Sequence, residues 1–454
     1  MIRDAYRYVL LSPMHAGTRK PYGQFMECAD YVPGSVVRGA CAEVILKHCP
    51  NRRPGEDNPE CPRGTANCPA WDRDQDRCLF TDMFEGDSAL LFSNAYAMPP
   101  LDDALPNSRP APLTLRQCSL HPGSVGEYER RLKLAQADDS VHMAEPPHGL
   151  WDTLISSYAL QCRERQALDE ARIPECPNPP EQATQDDVDH GSKCPHCLSK
   201  AELVRGYVLQ VSAYDKTYWM SYAPGVQRRV HVALNRSRRS AQEGLLFSRE
   251  SVHRGSNFCG GVIGPEGRED LLRAVSRAFG PGSEYGVVFG RAGAAGLGHT
   301  HTNRTGREQD DSLRDRLSNF DAALQALNPR PGCVYFSIDA WSSLVVDPVA
   351  TPDWAATLGL NGLATVFSRQ MVTSVSGWSN MPRQTEFGLR ETRLAIAAGS
   401  VYLCAFPGTI DDLTAALQNL EEAGIGEWRE MGCGRIELSS PIHLLRATRG
   451  TEAR

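Results

Sequence analysis

The residues with the clearest chemistry are cysteines. CPHC at 194–197 places two residues between Cys194 and Cys197, a spacing that lets both thiolates reach one tetrahedral ion. Cys118 and Cys176 complete a set of four, and four protein ligands saturate the ion, which points to structural rather than catalytic zinc. The stretch between Cys176 and Cys194, NPPEQATQDDVDHGSK among it, is polar and rich in proline. Such a segment cannot order itself by burial, but a metal can fix it. His121, Cys162, His190 and His196 are the substitute ligands. A second group, Cys49, Cys61, Cys68 and Cys78, lies in an apolar-poor stretch with wide spacings and no CxxC pair. It reads either as a second structural zinc site or as a disordered loop with incidental thiols.

Two further patterns suit an anion. RRVHVALNRSRRS carries Arg228, Arg229, Arg236, Arg238 and Arg239 with no acidic residue before Glu243. The alternation across VHVAL predicts a strand that presents these side chains along one surface. Arginine's planar fork donates two parallel hydrogen bonds to phosphate and stays charged; the plain alternative is a solvated edge strand guarded by charge. Two glycine-rich loops, GRAGAAGLGHTHT from Gly290 and GIGEWREMGCGRIEL from Gly424, each follow a helix and run into a strand. Without side chains the main chain can approach a polyanion and offer N–H groups, while Arg291, Arg429 and Arg435 supply charge. Tight turning alone would also explain glycine here. Neither loop reads GxxxxGK[ST] or opens a helix, so a nucleotide triphosphate site is not expected.

Elements of regular structure must hold these groups. A chain of 454 residues suggests two or three domains, and 41% hydrophobic with 23% charged residues is ordinary globular composition. No apolar run can span a bilayer and no export signal is evident, so a cytoplasmic location, no membrane partner and reduced cysteines are expected. With a net charge of -7, nucleic-acid binding would need a local basic patch. The order strand (Ile2–Leu11), helix (within Tyr31–Cys49), strand (Ser88–Met98), long insertion, strand (Asn257–Gly264), helix (Gly267–Phe279), strand is the split βαβ order. Downstream, CVYFSIDAWSSLVV and RLAIAAGSVYLCAF read as strands, Thr409–Ala423 as a helix capped by Thr409, and GRIELSSPIHLL as a closing strand. The expected fold is α+β: a ferredoxin-like (RRM-like) domain at 1–305 with zinc-stabilised insertions at 49–80 and 105–205, a linker at 306–329, a second such domain at 330–448, and a frayed tail at 449–454.

PGSVVRGA, LLFSNAYAMP, NRSRRSAQEGLLF and the two glycine loops together resemble the RAMP superfamily of CRISPR effector proteins. PAPLTLRQCSLHPG, then HGLWDTLI, then CPHC followed by GYV, are similar to the RAMP subunit of subtype III-D effectors that holds the 5′ handle of the guide RNA. The resemblance implies a crRNA-binding subunit of a ribonucleoprotein that meets target RNA indirectly. It would contact the large polymerase-like subunit and cap the filament of backbone RAMP subunits. Carried onto this sequence, RNA contact falls on Ser35, Arg38, Gly290, Arg291, Gly296, Gly298, Gly424, Gly426, Gly432, Gly434 and Arg435, with Arg236, Arg238 and Arg239 added on charge as well as on the resemblance, and Arg429 for charge. Some RAMPs cut RNA. In backbone RAMPs a loop aspartate near the first helix acts in metal-dependent target cleavage, a role the resemblance would give to Asp30 before YVPGS; in guide-processing RAMPs a histidine is the general base, for which His15, His299 and His301 are the candidates. Their plain readings are a helix-entry residue and outward strand positions. No GxSxG or HExxH pattern accompanies them, so the expectation is a subunit without catalytic residues. A zinc-stabilised protein-interaction scaffold is the reading without RNA.

Overall fold

The structure, a computed structural model, describes residues 1–17, 25–47, 49, 70–72, 75, 77–85, 89–100, 108–137, 148–169, 192–213, 216–235, 240–279, 287–290, 297–306, 312–379, 388–389 and 391–445. It is a mixed α+β protein built on antiparallel sheets. The first sheet contains β1 (Ile2–Leu10), β2 (Leu91–Phe92), β3 (Tyr96–Met98), β4 (Asn257–Gly264), β5 (Val287–Val288) and β6 (His299–Gly306). Its order is β5-β6-β1-β4-β2, with β3 also paired to β4. Helices α1 (Gly34–Lys47) and α2 (Glu269–Phe279) cover one face. Alternation in β1 sends Tyr6, Tyr8 and Leu10 into that layer. There Phe279 meets both tyrosine rings edge-on, so the aromatic packing fixes how α2 sits.

The second sheet has β7 (Cys333–Ala340), β8 (Ala364–Arg369), β9 (Val401–Pro407) and β10 (Ile436–Leu438), in the order β8-β9-β7-β10. Helices α3 (Leu313–Gln325) and α4 (Ile410–Leu417) pack on it. Thr409 caps α4 as expected, in a reciprocal box with Asp412.

Several expectations change. The range 306–329, read as a linker, contains α3: Ser312 caps it, and Leu317, Phe320 and Leu324 form a buried stripe against the second sheet. The extended segment at Ser88–Met98 breaks into β2 and β3 because the Asn94 side chain turns to accept the Gly34 N–H at 2.8 Å. RLAIAAGSVYLCAF splits into Arg393–Ile396 and β9 around Gly399, at φ 85° and so close to Ala111 that a Cβ would sit 2.6 Å from its carbonyl oxygen. The closing strand stops at Leu438; Ser439 turns at φ 49° and Pro441–Leu444 coils as a 3-10 turn. The long helix at Thr409–Ala423 ends at Leu417 and resumes as a short turn at Leu420–Ala423.

Within the insertion a small sheet orders Ala201–Leu203, Leu115–Cys118 and Leu150–Asp152. Two buried ionic joints tie the insertion to the second sheet. Arg109 pairs with Glu437 and stacks on Trp219 and Trp341. His443 sits between Asp152, 3.0 Å from Nδ1, and Asp339, 2.6 Å from Nε2, with none of its side chain exposed. Burial alone would lower the imidazole's pKa; the two carboxylates outweigh it and push it up to about 10.

A group raised from 6.5 contributes its stability fully below that value and loses it as pH climbs toward 10. His443→Gln should therefore destabilise by about 3–5 kcal/mol at pH 6, since two buried carboxylates lose their partner. The gap from wild type should narrow between pH 7 and 10. Denaturation midpoints of both proteins across that range would check it, and a pH-independent gap would count against a charged His443.

Candidate nucleic-acid interface and metal centre

Three elements of the insertion converge on one cluster. Cys118 ends the central strand of the small sheet and pairs with Ala201. His148 and Gly149, both at positive φ, lead into the neighbouring strand, where Leu150 pairs with Gln117. The CPHC turn closes with Leu198 at φ 57°, its N–H returning to Cys194 at 3.0 Å. Cys118, His148, Cys194 and Cys197 thereby bring their ligand atoms within 4.8 Å of one another.

The cluster passes a test of fit. A tetrahedral ion holding sulphur at about 2.3 Å and nitrogen at about 2.0 Å separates its ligands by about 3.5–3.8 Å. Cys118 Sγ lies 3.6 Å from Cys197 Sγ, and Cys194 Sγ lies 3.5 Å from His148 Nδ1. Burial lowers the pKa of His148 and keeps the imidazole in its neutral, ligating form. Burial also pushes the Cys194 thiol up, and a bound cation would reverse that preference. Ser199 Oγ touches both Cys118 and Cys197, at 3.2 and 2.8 Å, and so orients them from outside the set.

Three of the four expected ligands, Cys118, Cys194 and Cys197, fall in this cluster, which could hold a metal ion. Cys176 lies outside the described residues, as does His190, and among the described residues the fourth member of the cluster is His148. His121 and His196 pack their rings against His148, with centroids 4.7 and 5.0 Å away, instead of joining the cluster. Cys162 accepts from Asn328 elsewhere. The signal for His148 was its position one residue before Gly149 and the strand that pairs with TLRQC, legible only once the register is known. Of the second group, Cys61 and Cys68 fall outside the described residues, and no described metal cluster includes Cys49 or Cys78.

The glycine loops prove tightly packed. Gly290 at φ 81° would place a Cβ 2.3 Å from the His15 carbonyl oxygen, and Gly298 one 1.9 Å from that of Phe289. Gly426 and Gly434 press on Val345 and Ile425 in the same way, while Gly424 adjoins Gly434. Gly432, at φ 90°, rests on Gly34 and the Asn94 side chain, so the second loop seats on the N-terminus of α1. Ser35 is exposed beside that junction. Arg38 donates to the Phe84 carbonyl at 2.6 Å, Arg429 to that of Ala423 at 3.2 Å, and Arg435 stacks on Trp341 at 4.6 Å. Arg291, Gly296, Arg236, Arg238 and Arg239 lie outside the described residues.

The residues nominated for cleavage are dispersed in role. Asp30 accepts from the Tyr207 hydroxyl at 2.6 Å. His15 is buried with Nδ1 2.7 Å from the Glu250 carbonyl, whereas His299 and His301 are exposed on β6.

A long hairpin, Val226–Asn235 with Ser240–Val252, carries a basic face of which the sequence pattern marks only one strand. Arg229 stands directly opposite Arg249, and His231 opposite Phe247 with rings stacked at 5.1 Å and 14°. Among the described residues neither arginine has an ion pair, while Arg228, on the other face, pairs with Glu250 at 3.1 Å. Arg249 and Phe247 carry no local signal of their own, because only the hairpin register brings them across from Arg229 and His231. Like charges placed opposite each other weaken a ladder, and here two flat rings adjoin two guanidinium groups that lack an acidic partner.

No family model matches the chain, and neither does any curated protein. Solved structures give distant likenesses. A chain of the type III-B Cmr-beta complex bound to cognate target RNA and AMPPnP aligns at 11% identity over 91% of this chain and 88% of its own, with a TM-score of 0.36. The apo Cmr-beta complex gives 14% identity over 67% and 97%, at 0.29. A type IV-B CRISPR complex gives 11% over 69% and 94%, at 0.26. Among the described residues no helix is long and apolar enough to cross a membrane.

Purified protein should carry a tightly held divalent ion in stoichiometric amount, and His148→Ala or Cys194→Ser should release it. Elemental analysis checks this; full metal retention in His148→Ala would exclude that residue as a ligand.

Proposed function

We propose that this chain is the RNA-binding subunit of a type III CRISPR effector ribonucleoprotein, in which it holds the 5′ handle of the crRNA. The observation that carries this reading is the hairpin face of Arg229, Arg249, His231 and Phe247. Guanidinium groups suit phosphate and stacked rings suit unpaired bases, a pairing typical of single-strand recognition. The sequence resemblance supplies the identity of the RNA, and the like-charge pair supplies a physical reason for a polyanion at that place. Both β-sheet units are read as ferredoxin-like, supported by their shared strand order, in which the first and third strands are central. The ion at Cys118, His148, Cys194 and Cys197 is read as structural zinc, which would leave no open coordination position.

In this reading the large polymerase-like subunit and the backbone RAMP subunits are the protein partners. RNA cleavage is assigned to none of this chain's residues. Asp30 is half-buried and engaged by Tyr207, which supports a positioning role at the entry to α1.

Filter binding with crRNA carrying or lacking its 5′ tag tests the proposal. Wild type should prefer tagged RNA, and Arg229→Gln with Arg249→Gln should weaken binding by tenfold or more. The salt slope should fall by about 0.7 for each phosphate that is no longer neutralised. Weak, tag-independent and salt-insensitive binding would favour an interaction scaffold instead. Asp30→Ala in an assembled complex should leave every target cut in place; loss of one cut would restore the nuclease reading.

A further inference from the structure

The first sheet has a second face, turned away from α1 and α2. Near Cys259 it packs on the insertion, but β6 and the adjoining part of β1 present polar and basic side chains there. Alternation sends Tyr6, Tyr8, Phe258, Val262, Thr300 and Thr302 toward the helices or into burial. The opposite parity places Arg7 on β1, Cys259 and Gly261 on β4, and His299, His301 and Asn303 on β6. Registers set Arg7 beside Asn303 and Cys259, and Val9 beside His301. No carboxylate occupies this parity in β1, β4 or described β6. Asp4, the one acidic residue in β1, points the other way and is bound by Arg304 at 2.7 Å.

Arg7 is the informative group. Its Nε is sealed from solvent with no hydrogen-bond partner, and among the described residues the guanidinium has no ion pair. Among the described residues this half-buried cation has no counter-charge, and in a protein of net charge -7 an external anion would supply one. Both histidines are exposed, two residues apart on one strand and so about 6.6 Å apart along it, which lets successive rings meet successive flat groups. Only His253–Ser256 separate the hairpin strand from β4 along the chain.

We propose that Arg7, His299, His301 and Asn303 form a second single-stranded RNA surface, with phosphate on Arg7, bases against the histidine rings and a base edge at the Asn303 amide. The proposal rests on the RNA reading above and extends it beyond the hairpin. Stacked bases on a sheet tolerate any sequence, so this surface should be indifferent to the 5′ tag.

Fluorescence anisotropy on the full chain with an untagged 20-nucleotide RNA would test it, alongside tagged crRNA. Arg7→Gln should weaken untagged binding about fivefold and lower the salt slope by about 0.7, whereas Arg7→Lys should retain both. His299→Ala with His301→Ala should weaken it about tenfold at an unchanged slope. Matching thermal melts exclude unfolding as the cause. If these variants bind untagged RNA like wild type while the Arg229 and Arg249 pair of substitutions still weakens binding of tagged crRNA, this surface is wrong and the RNA reading stands. If wild type binds neither RNA, both fall. Loss of polyglutamate binding by Arg7→Gln with RNA binding intact would assign the face to an acidic protein and overturn the proposal.

Discussion

The architecture depends on a charge buried where three segments meet. His443 lies beyond the last strand, Asp339 lies on the first strand of the second sheet, and Asp152 lies on the small sheet of the insertion. Thr114 donates to Asp152 and Ser337 to Asp339, each at 2.6 Å, so neither carboxylate faces the imidazolium alone. A buried ion pair is weak evidence for net stability, because desolvation cancels much of the attraction. Its value lies in specificity: any other docking of the insertion would strand a charge. The Arg109–Glu437 pair, clamped between Trp219 and Trp341, repeats that logic a short way along the same seam. The Tyr96 hydroxyl, bonded to the Trp341 carbonyl, then carries the seam to the first sheet.

Local signals in the sequence are legible where the outcome depends on neighbours in the chain. NFCGGVIG is a strand over Asn257–Gly264, and the Thr409–Asp412 box starts α4. CPHC forms its turn for the same reason, since the spacing of Cys194 and Cys197 is a local fact. Legibility ends where distant segments decide. Nothing near His148 marks it as a ligand; Cys118, thirty positions upstream, becomes its neighbour through strand register. The break at Asn94 is made by Gly34, and the break at Gly399 by Ala111. Arg249 gains meaning only opposite Arg229.

The glycines show how one residue type admits two explanations. From sequence, Gly426, Gly432 and Gly434 suggest main chain laid open to a polyanion. In the fold they are the places where backbone meets backbone, with Gly432 against Gly34 having no room for a methyl group. Packing therefore accounts for glycine at these positions, whatever else approaches. Beside them Ser35 is exposed in the first turn of α1, where the Gly34 N–H already donates to Asn94 and those of Val36 and Val37 to the Pro33 carbonyl.

Paired and unpaired charge are distributed differently. At the seam each ion is buried and matched: His443 by two aspartates and Arg109 by Glu437; away from it, the buried Arg316 of α3 is matched by Glu421. On one side of the hairpin and on the open sheet face, cations stand without an acidic partner among the described residues, and Arg229 even opposes Arg249. Folding gains nothing from that second arrangement, because like charges across a ladder repel. A sequence under selection for stability alone would relieve the pair with a single glutamate, as Glu250 does for Arg228 on the reverse face. The two sides of one hairpin thus carry different constraints: among the described residues Arg228 has its counter-ion and the Arg229–Arg249 side has none.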